Sequence, residues 1–214
     1  MKLYLAGIRS YQLDLGIESS AFSDPRLERA IQGIKRDLNE PERRTRTPLT
    51  RPYIICILHH LQPNTYDHAV IQAAFTLAFA GFLRVGQFTY KELDKELGAS
   101  YQNWFLAKGS VRIRGKGSYI ELILPSSKTD PFRKGITLTI AASNDAACPI
   151  HAIQHFFSLD THHPPHSTLF CHGRVEQQAF TREYVVQQLQ HLALTAGLGQ
   201  GSWNGHSFRR GAAT

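Results

Sequence analysis

The stretch GHSFRRGAAT contains a histidine and two arginines whose types and spacing suit phosphate chemistry. If the stretch is helical, His206 and Arg209 are three residues apart and lie on one face. A guanidinium can grip two oxygens of one phosphate, and an imidazole can donate a hydrogen bond to it. Arg210 points about 100° away on such a helix, so it is expected to contact other groups. The stretch is therefore either a basic helix end that contains a histidine or one half of a phosphate-binding active site.

Two further cations occupy special places upstream. Arg84 follows a long apolar pattern in FAGFLRVGQFT, at the expected end of a buried helix. A buried arginine is costly unless an anion or a carboxylate meets it, so Arg84 either pairs with an acid, reaches solvent or binds an anion. Lys128 lies in PSSKTDPFRKG, the expected loop between two strands. A loop lysine is ordinarily solvated, so neither residue alone specifies a site.

Other kinds of site are not supported by the residue spacing. The chain has 11 histidines, yet its three cysteines, Cys56, Cys148 and Cys171, are far apart. A structural zinc site usually pairs cysteines two to four residues apart, so no metal is predicted. The sequence has no G-x-S-x-G motif of the serine hydrolases and no P-loop of the nucleoside triphosphatases. It also lacks the carboxylate cluster that a two-metal nuclease needs. No cofactor is predicted.

Charge and composition favour a polyanionic partner in a reducing compartment. Lys and Arg number 24 against 17 Asp and Glu, which gives a net charge of +7. The proline-bounded stretch NEPERRTRTPLTRP contains Arg43, Arg44 and Arg46 and is expected to be extended. It reads either as a solvated linker or as a basic strap across a phosphate backbone. The most apolar run, residues 69–83, is too short to cross a bilayer, so no membrane association is predicted.

The order of elements predicts an α+β, mostly α fold. Helices are expected in KLYLAGIRSYQLDLG and SDPRLERAIQGIKRDLN, and again from Thr50 onward. The first two are short and cannot bury much surface alone. Three β-rich runs, SVRIRGK, SYIELILP and GITLTIAA, predict a small antiparallel meander. Helices resume in CPIHAIQHFFSL and TREYVVQQLQHLALTAG.

Together, GFLRVGQFT, SSKTDPFRKG and GHSFRRGAAT resemble the tyrosine recombinase (phage integrase) family. They are most similar to versions carried by eukaryotic mobile elements, the Crypton and DIRS-like groups. YLAGIRSYQLDLG and RLERAIQGIKR resemble the end of the helical core-binding domain of such proteins. The resemblance implies a core-binding remnant at 1–40, a basic linker at 41–50 and a helical catalytic domain with a three-stranded antiparallel sheet at 51–214.

The resemblance also implies roles for single residues. Arg84 and Arg209 would grip the non-bridging oxygens of a scissile phosphate. His206 would hydrogen-bond the same phosphate and assist proton movement. Lys128 would reach into the DNA minor groove and protonate the departing 5′-hydroxyl. An acid usually stands three positions after the first arginine in this family, where this chain has Gln87.

Double-stranded DNA is the implied partner, bound by a homo-oligomer that in this family is usually a tetramer, and the nucleus is the expected location. DNA-backbone contacts are expected from Arg43, Arg44, Arg46, Arg133, Lys134 and Arg210. The family's nucleophilic tyrosine follows H-x-x-R, whereas the last tyrosine here is Tyr184. The polypeptide as given is therefore expected not to form a phosphotyrosyl intermediate: it is a fragment, a decayed gene, or it receives a tyrosine from a partner subunit. The alternative hypothesis is a non-catalytic DNA-binding or interaction module.

Overall fold

The computed structural model describes residues 2–38, 47–62, 64–125, 132, 134–160, 164–199 and 201–213. The chain divides into two compact units, Met1–Arg44 and Thr45–Thr214. Within the described ranges, no helix combines the length and the apolar character needed to cross a membrane.

The first unit contains the two helices expected from the sequence. Helix α1 spans Lys2–Asp14, and Gly16 follows it with a φ of +69°, a left-handed conformation that suits glycine. Helix α2 spans Pro25–Asp37 and begins with proline, whose fixed φ suits the first helical turn. The Asp24 side chain caps α2 by accepting a hydrogen bond from the backbone N–H of Arg26 at 2.8 Å.

The first unit buries little of its apolar surface. Ile31 on α2 is the one buried apolar side chain among its described residues. Leu3 and Tyr4 on α1 are 88% and 79% exposed, and Leu38 beyond α2 is 69% exposed. Two short helices therefore leave most of their apolar side chains uncovered, in line with the limited burial expected of such a pair.

The second unit has six helices and two small sheets in its described residues. The helices are α3 (Arg51–Leu58), α4 (Tyr66–Ala80), α5 (Val85–Phe88), α6 (Pro149–Leu159), α7 (Arg182–Thr195) and α8 (Ser207–Ala212). The strands are β1 (Val111–Arg114), β2 (Tyr119–Leu124), β3 (Ile136–Ala141), β4 (Cys171–His172) and β5 (Gln178–Ala179). Two 3₁₀ segments, Glu92–Asn103 and Lys108–Ser110, precede β1.

Helix α4 forms the centre of the second unit. Buried side chains occur on every side of it, from Tyr66 at its first turn to Phe79 at its last. A helix that is apolar all round must be enclosed, and α4 packs against α3, α5, α6, α8 and β4. Its end therefore provides a fixed base for the residues that follow it.

The larger sheet is an antiparallel meander with the order β1-β2-β3. Val111 pairs with Leu122 and Ile113 with Ile120, while the alternate side chains of β1 and β2 face the other side. Ile120, Leu122 and Leu124 are all buried, so one face of the sheet covers the core. At the opposite face, Arg114 forms an ion pair with Glu121 at 2.9 Å.

The observed fold is mixed α+β, with the predicted helices and the predicted three-stranded antiparallel meander. One local expectation was wrong: Arg84 does not end the long apolar helix. Helix α4 stops at Ala80 and is capped by Gly81, and Arg84 precedes the separate helix α5. Phe82 makes this break with a φ of +52°, and Leu83 donates its backbone N–H back to the Ala78 carbonyl at 2.9 Å.

Candidate phosphate-binding site

A pocket of 340 Å³ brings together basic side chains from three parts of the second unit. Arg84 enters it from the start of α5, Arg182 from the start of α7 and His206 from the turn before α8. The remaining lining residues are apolar or neutral: Val85, Gly86, Gln87, Trp104, Leu124, Pro125 and Gly205. No carboxylate is among the described residues that line the pocket, so these walls favour an anion over a cation.

The turn that carries Arg84 is fixed by Gln87. The backbone N–H of Arg84 donates a hydrogen bond to Oε1 of Gln87 at 2.7 Å, and the N–H of Gln87 returns to the Arg84 carbonyl at 2.8 Å. These reciprocal bonds hold the first turn of α5, as in a capping box. Gln87, which occupies the position of the expected acid, therefore orients Arg84 through its backbone.

A close backbone approach places His206 beside Arg84. Gly205 precedes His206, and a Cβ on Gly205 would overlap the side chain of Val85, the residue after Arg84. Glycine removes that clash, so the two chain segments come into contact one residue away from each functional side chain. The Asn204 side chain then fixes the turn by accepting a hydrogen bond from the backbone N–H of His206 at 3.0 Å.

Helix α8 is locked into the core by its apolar and glycine residues. Phe208 is fully buried and packs edge-on against Phe75 of α4 at 5.0 Å and against Phe88 of α5 at 6.1 Å. A Cβ on Gly211 would overlap the backbone carbonyl of Leu49. The backbone N–H of Leu49 also donates to the Ser207 carbonyl at 2.9 Å. The segment carrying His206 is thus fixed at both ends.

The guanidinium groups of the pocket have no acidic partners among the described residues. Neither Arg84 nor Arg182 forms an ion pair with a carboxylate in the described part of the chain, whereas Arg51 is paired with Asp145 at 2.8 Å. Arg84 is half-buried, and Arg182 is exposed at the rim. Two guanidiniums and an imidazole around one cavity can together hydrogen-bond the oxygens of a phosphate-sized anion.

The other predicted site residues are distributed around this pocket or lie outside the described residues. Arg209 and Arg210 are exposed on α8 and are not among the lining residues. Lys134 lines a neighbouring cavity of 540 Å³. Lys128, Arg133, Arg43, Arg44 and Arg46 lie outside the described residues.

The loop that carries Lys128 leaves β2 at the wall of the pocket. Leu124 is the last residue of β2, and both Leu124 and Pro125 line the cavity. All of the predicted site residues thus remain predictions of the resemblance; Arg84 and His206 line one pocket, and Arg209 lies on α8, the helix that follows His206.

Arg182 is a pocket residue that the sequence reasoning did not identify. It occupies the first position of α7, where Thr181 caps the helix by accepting a hydrogen bond from the backbone N–H of Tyr184 at 3.1 Å. A positive side chain at a helix N-terminus opposes the helix dipole, and acidic residues are preferred there. Glu183, the next residue, has the acidic character that is usual in a first helical turn, whereas Arg182 does not. The unfavourable position of the Arg182 charge was the one local signal that could have indicated that it faces an anion.

A separate cluster of polar side chains is enclosed in the core. Lys108 forms an ion pair with Asp160, and the Tyr66 hydroxyl donates to the Asp160 carboxylate at 3.4 Å and lies 3.2 Å from the sulfur of Cys171. Burial raises the pKa of the Cys171 thiol, although the hydrogen bond with Tyr66 opposes the shift. Since Cys171 is also only 2% exposed, it is a packed thiol rather than a reactive one.

The histidine-rich segments form no metal cluster in the described ranges. No group of three or more His, Cys, Asp and Glu side chains is arranged there to hold an ion. His172, which follows Cys171, instead stacks on the ring of Tyr184 at 4.0 Å with a 6° angle between the planes.

No protein-family model and no curated protein matches the chain. Among solved structures, the chain is similar to the XerH site-specific recombinase bound to difH substrate in a pre-cleavage complex, with a TM-score of 0.51 and 14% sequence identity. The match covers 79% of this chain and 42% of that one, so this chain spans less than half of the recombinase's length. At this identity the likeness establishes a tyrosine-recombinase-like fold.

Proposed function

We propose that this chain binds double-stranded DNA and holds one backbone phosphate between Arg84, Arg182 and His206, in a site-specific recombination or integration reaction. One observation carries the proposal: the pocket gathers two guanidiniums and an imidazole from three elements, and the described residues that line it include no carboxylate. The recombinase-like fold supports it, as does the net charge of +7.

The arrangement suits phosphoryl transfer without a metal. Negative charge gathers on the non-bridging oxygens of the phosphate as a nucleophile attacks, and cations fixed in advance stabilise that charge. In this proposal Arg84 and His206 contact those oxygens, Arg209 adds the guanidinium of the H-x-x-R motif, and Lys128 protonates the departing 5′-hydroxyl. Arg182 enlarges the set that the family resemblance implies.

Contacts beyond the pocket belong to the same proposal and rest on the resemblance alone. Arg43, Arg44, Arg46, Arg133, Lys134 and Arg210 contact the DNA backbone. The protein acts in the nucleus as a homo-oligomer, a tetramer on DNA, and originates from a mobile element of the Crypton or DIRS-like type.

The test is a salt-dependent DNA-binding measurement with matched charge variants. Fluorescence anisotropy of a labelled duplex is recorded at several salt concentrations for the wild type, Arg84→Ala, Arg182→Ala and Arg174→Ala. Wild-type affinity should fall steeply with salt, because bound phosphates release counterions. Each pocket variant should lower affinity about tenfold and reduce the logarithmic salt slope by about one, since it removes one phosphate contact.

Arg174→Ala is the matched control because it removes the same charge at a distant place. Arg174 is exposed in the β4–β5 turn, and the adjacent Gly173 N–H is bonded to Asp67 in the first turn of α4 at 2.7 Å. The pocket lies beyond the other end of α4, which is about 20 Å long at 1.5 Å per residue. Affinity that does not change with salt, or an equal loss in all three variants, contradicts the proposal.

Gln87 favours a second candidate, a non-catalytic DNA-binding module in which the cations only hold phosphates. The family acid is absent at this position, and its replacement orients Arg84 through backbone contacts. Arg84→Lys distinguishes the two functions, because it keeps the charge and removes the planar fork. Wild-type affinity in Arg84→Lys supports the binding module, whereas a loss equal to that of Arg84→Ala supports a site built for bidentate contact with one phosphate.

A further inference from the structure

A second cavity continues from the phosphate pocket and has a different character. It has a volume of 540 Å³ and shares Trp104, Leu124 and Pro125 with the pocket, so the two form one groove. Its other walls carry the side chains of Gln102, Asn103, Ile123, Lys134, Ile136 and Thr137, together with Gly135. Among the described residues, the groove therefore passes from a cationic end to a region with two amides, an aromatic ring and Lys134.

Trp104 lines both parts of this groove and is one of the exposed large apolar residues of the second unit. It is 43% exposed, whereas Trp203, the other tryptophan of the chain, is 3% exposed. Its backbone is nevertheless anchored, because its N–H donates to the carbonyl of Tyr101 at 3.0 Å. Tyr101 is itself buried and packs on Phe105 at 5.1 Å and edge-on against Tyr90 at 5.5 Å. A rigid support thus presents an accessible aromatic surface beside the cations.

The residues beside Trp104 match the chemistry of a nucleobase. Gln102 and Asn103 are exposed side-chain amides, each of which can donate and accept hydrogen bonds at a base edge. Lys134 adds a positive charge at the far end of the groove for a second phosphate. An aromatic ring, adaptable amides and alternating cations are the features by which proteins hold single nucleotides out of a stack.

We infer that the groove beside the phosphate pocket binds an unpaired base of DNA, stacked on Trp104, next to the phosphate held by Arg84. This rests on the proposed function, because the bound phosphate fixes the position of the neighbouring nucleotide. A base can reach Trp104 only after it leaves the double helix, which costs a few kcal/mol in a fully paired duplex and less at an unpaired position. The groove therefore selects DNA with an unpaired or extruded nucleotide.

The experiment compares two duplexes that differ by one nucleotide. One is fully paired, and the other carries a single unpaired 2-aminopurine, whose fluorescence is quenched on stacking. The wild type should bind the second duplex roughly tenfold more tightly, within the range of one base–aromatic stacking contact, and should quench its fluorescence. The tryptophan fluorescence of the protein reports the same event, because stacking of a base changes the emission of the exposed Trp104 and leaves that of the buried Trp203 unchanged.

Two substitutions of Trp104 separate stacking from general binding. Trp104→Leu should lose the quenching and bring the ratio of the affinities for the two duplexes to about one, and this ratio measures stacking whatever the affinity of the variant for the paired duplex. Trp104→Phe retains a ring and should recover part of the preference, which a merely structural role for Trp104 would not require. Circular dichroism melting of both variants verifies that they fold.

The outcomes also separate this inference from the proposed function. Salt-dependent binding of the paired duplex that requires Arg84, without any preference for the unpaired base, overturns the inference and leaves the proposed function standing. An unchanged preference in Trp104→Leu overturns the inference as well. Failure of the wild type to bind either duplex removes the proposed function and the inference together.

Discussion

Gln87 shows how a single amide can fix the backbone of Arg84, an arginine of the candidate site. Its Oε1 accepts the backbone N–H of Arg84 at 2.7 Å, so it fixes the first turn of α5. A carboxylate in this position can make the same bond, and it would also lie at the favourable, positive end of the helix. The side-chain oxygen is thus the feature that matters to the local fold.

Replacement of Gln87 by alanine should destabilise the second unit by about 1 kcal/mol, the usual cost of losing a helix cap. Gln87→Glu is the matched variant, because its carboxylate keeps the acceptor and should preserve stability. Urea denaturation followed by circular dichroism measures both free energies of unfolding. Equal destabilisation by the two substitutions would show that the acceptor oxygen does not hold this turn.

At the scale of elements, α8 is positioned by the absence of side-chain atoms as much as by their presence. Because Gly205 and Gly211 have no Cβ, the Val85 side chain can contact the first and the Leu49 backbone can contact the second. Phe208 packs between Phe75 of α4 and Phe88 of α5. These contacts bring His206 to Arg84, although more than a hundred residues separate the two in the chain. Tertiary packing therefore brings these two residues of the candidate site into one pocket.

Gly211→Ala should lower the stability of the second unit by about 3 kcal/mol, because the added methyl group collides with a backbone atom that cannot rotate away. The matched control is Gly86→Ala, where a Cβ would meet no atom within 4 Å. Thermal unfolding of the two variants should show a large decrease in melting temperature for the first and little change for the second. A melting temperature of Gly211→Ala close to that of the wild type would contradict the close approach to Leu49.

Sequence periodicity predicted the elements that depend on local patterns and missed those set by tertiary contacts. The three strands and the long helices follow from alternation and helical spacing, and the side chains of Asp24 and Thr181 cap α2 and α7. The break between α4 and α5 was missed, because Phe82 and Leu83 look like a continuing apolar helix. Arg182 was missed because it reaches the pocket through the tertiary packing of α7, which the neighbouring residues in the sequence do not reveal.

At the scale of the whole molecule, a buried ion pair ties distant parts of the second unit together. Lys108 precedes β1, and Asp160 follows α6; their side chains are 10% and 2% exposed. Burial lowers the pKa of the Lys108 ammonium, and the hydrogen bond to Asp160 opposes that shift. The pair is costly to bury, but it is more costly to break, since the remaining charge stays in the core.

Lys108→Met should therefore destabilise the second unit by about 3–5 kcal/mol, the range for an uncompensated buried charge. Lys91→Met removes an exposed lysine from the same unit and should change stability by less than about 0.5 kcal/mol. The double variant Lys108→Met/Asp160→Asn removes both charges and should recover part of the loss. No recovery in the double variant would mean that the charge of Asp160 is not the cause.

The contact between Phe208 of α8 and Phe75 of α4 has a consequence for folding during synthesis. A chain emerging from the ribosome presents α4 long before α8, and domains complete their folding only when such distant contacts can close. Until α8 is synthesised, Phe75 and its apolar neighbours lack their final cover. The same docking event that covers α4 also brings His206 to Arg84. Protection of the nascent core and assembly of the anion pocket are thus a single, late step in biogenesis.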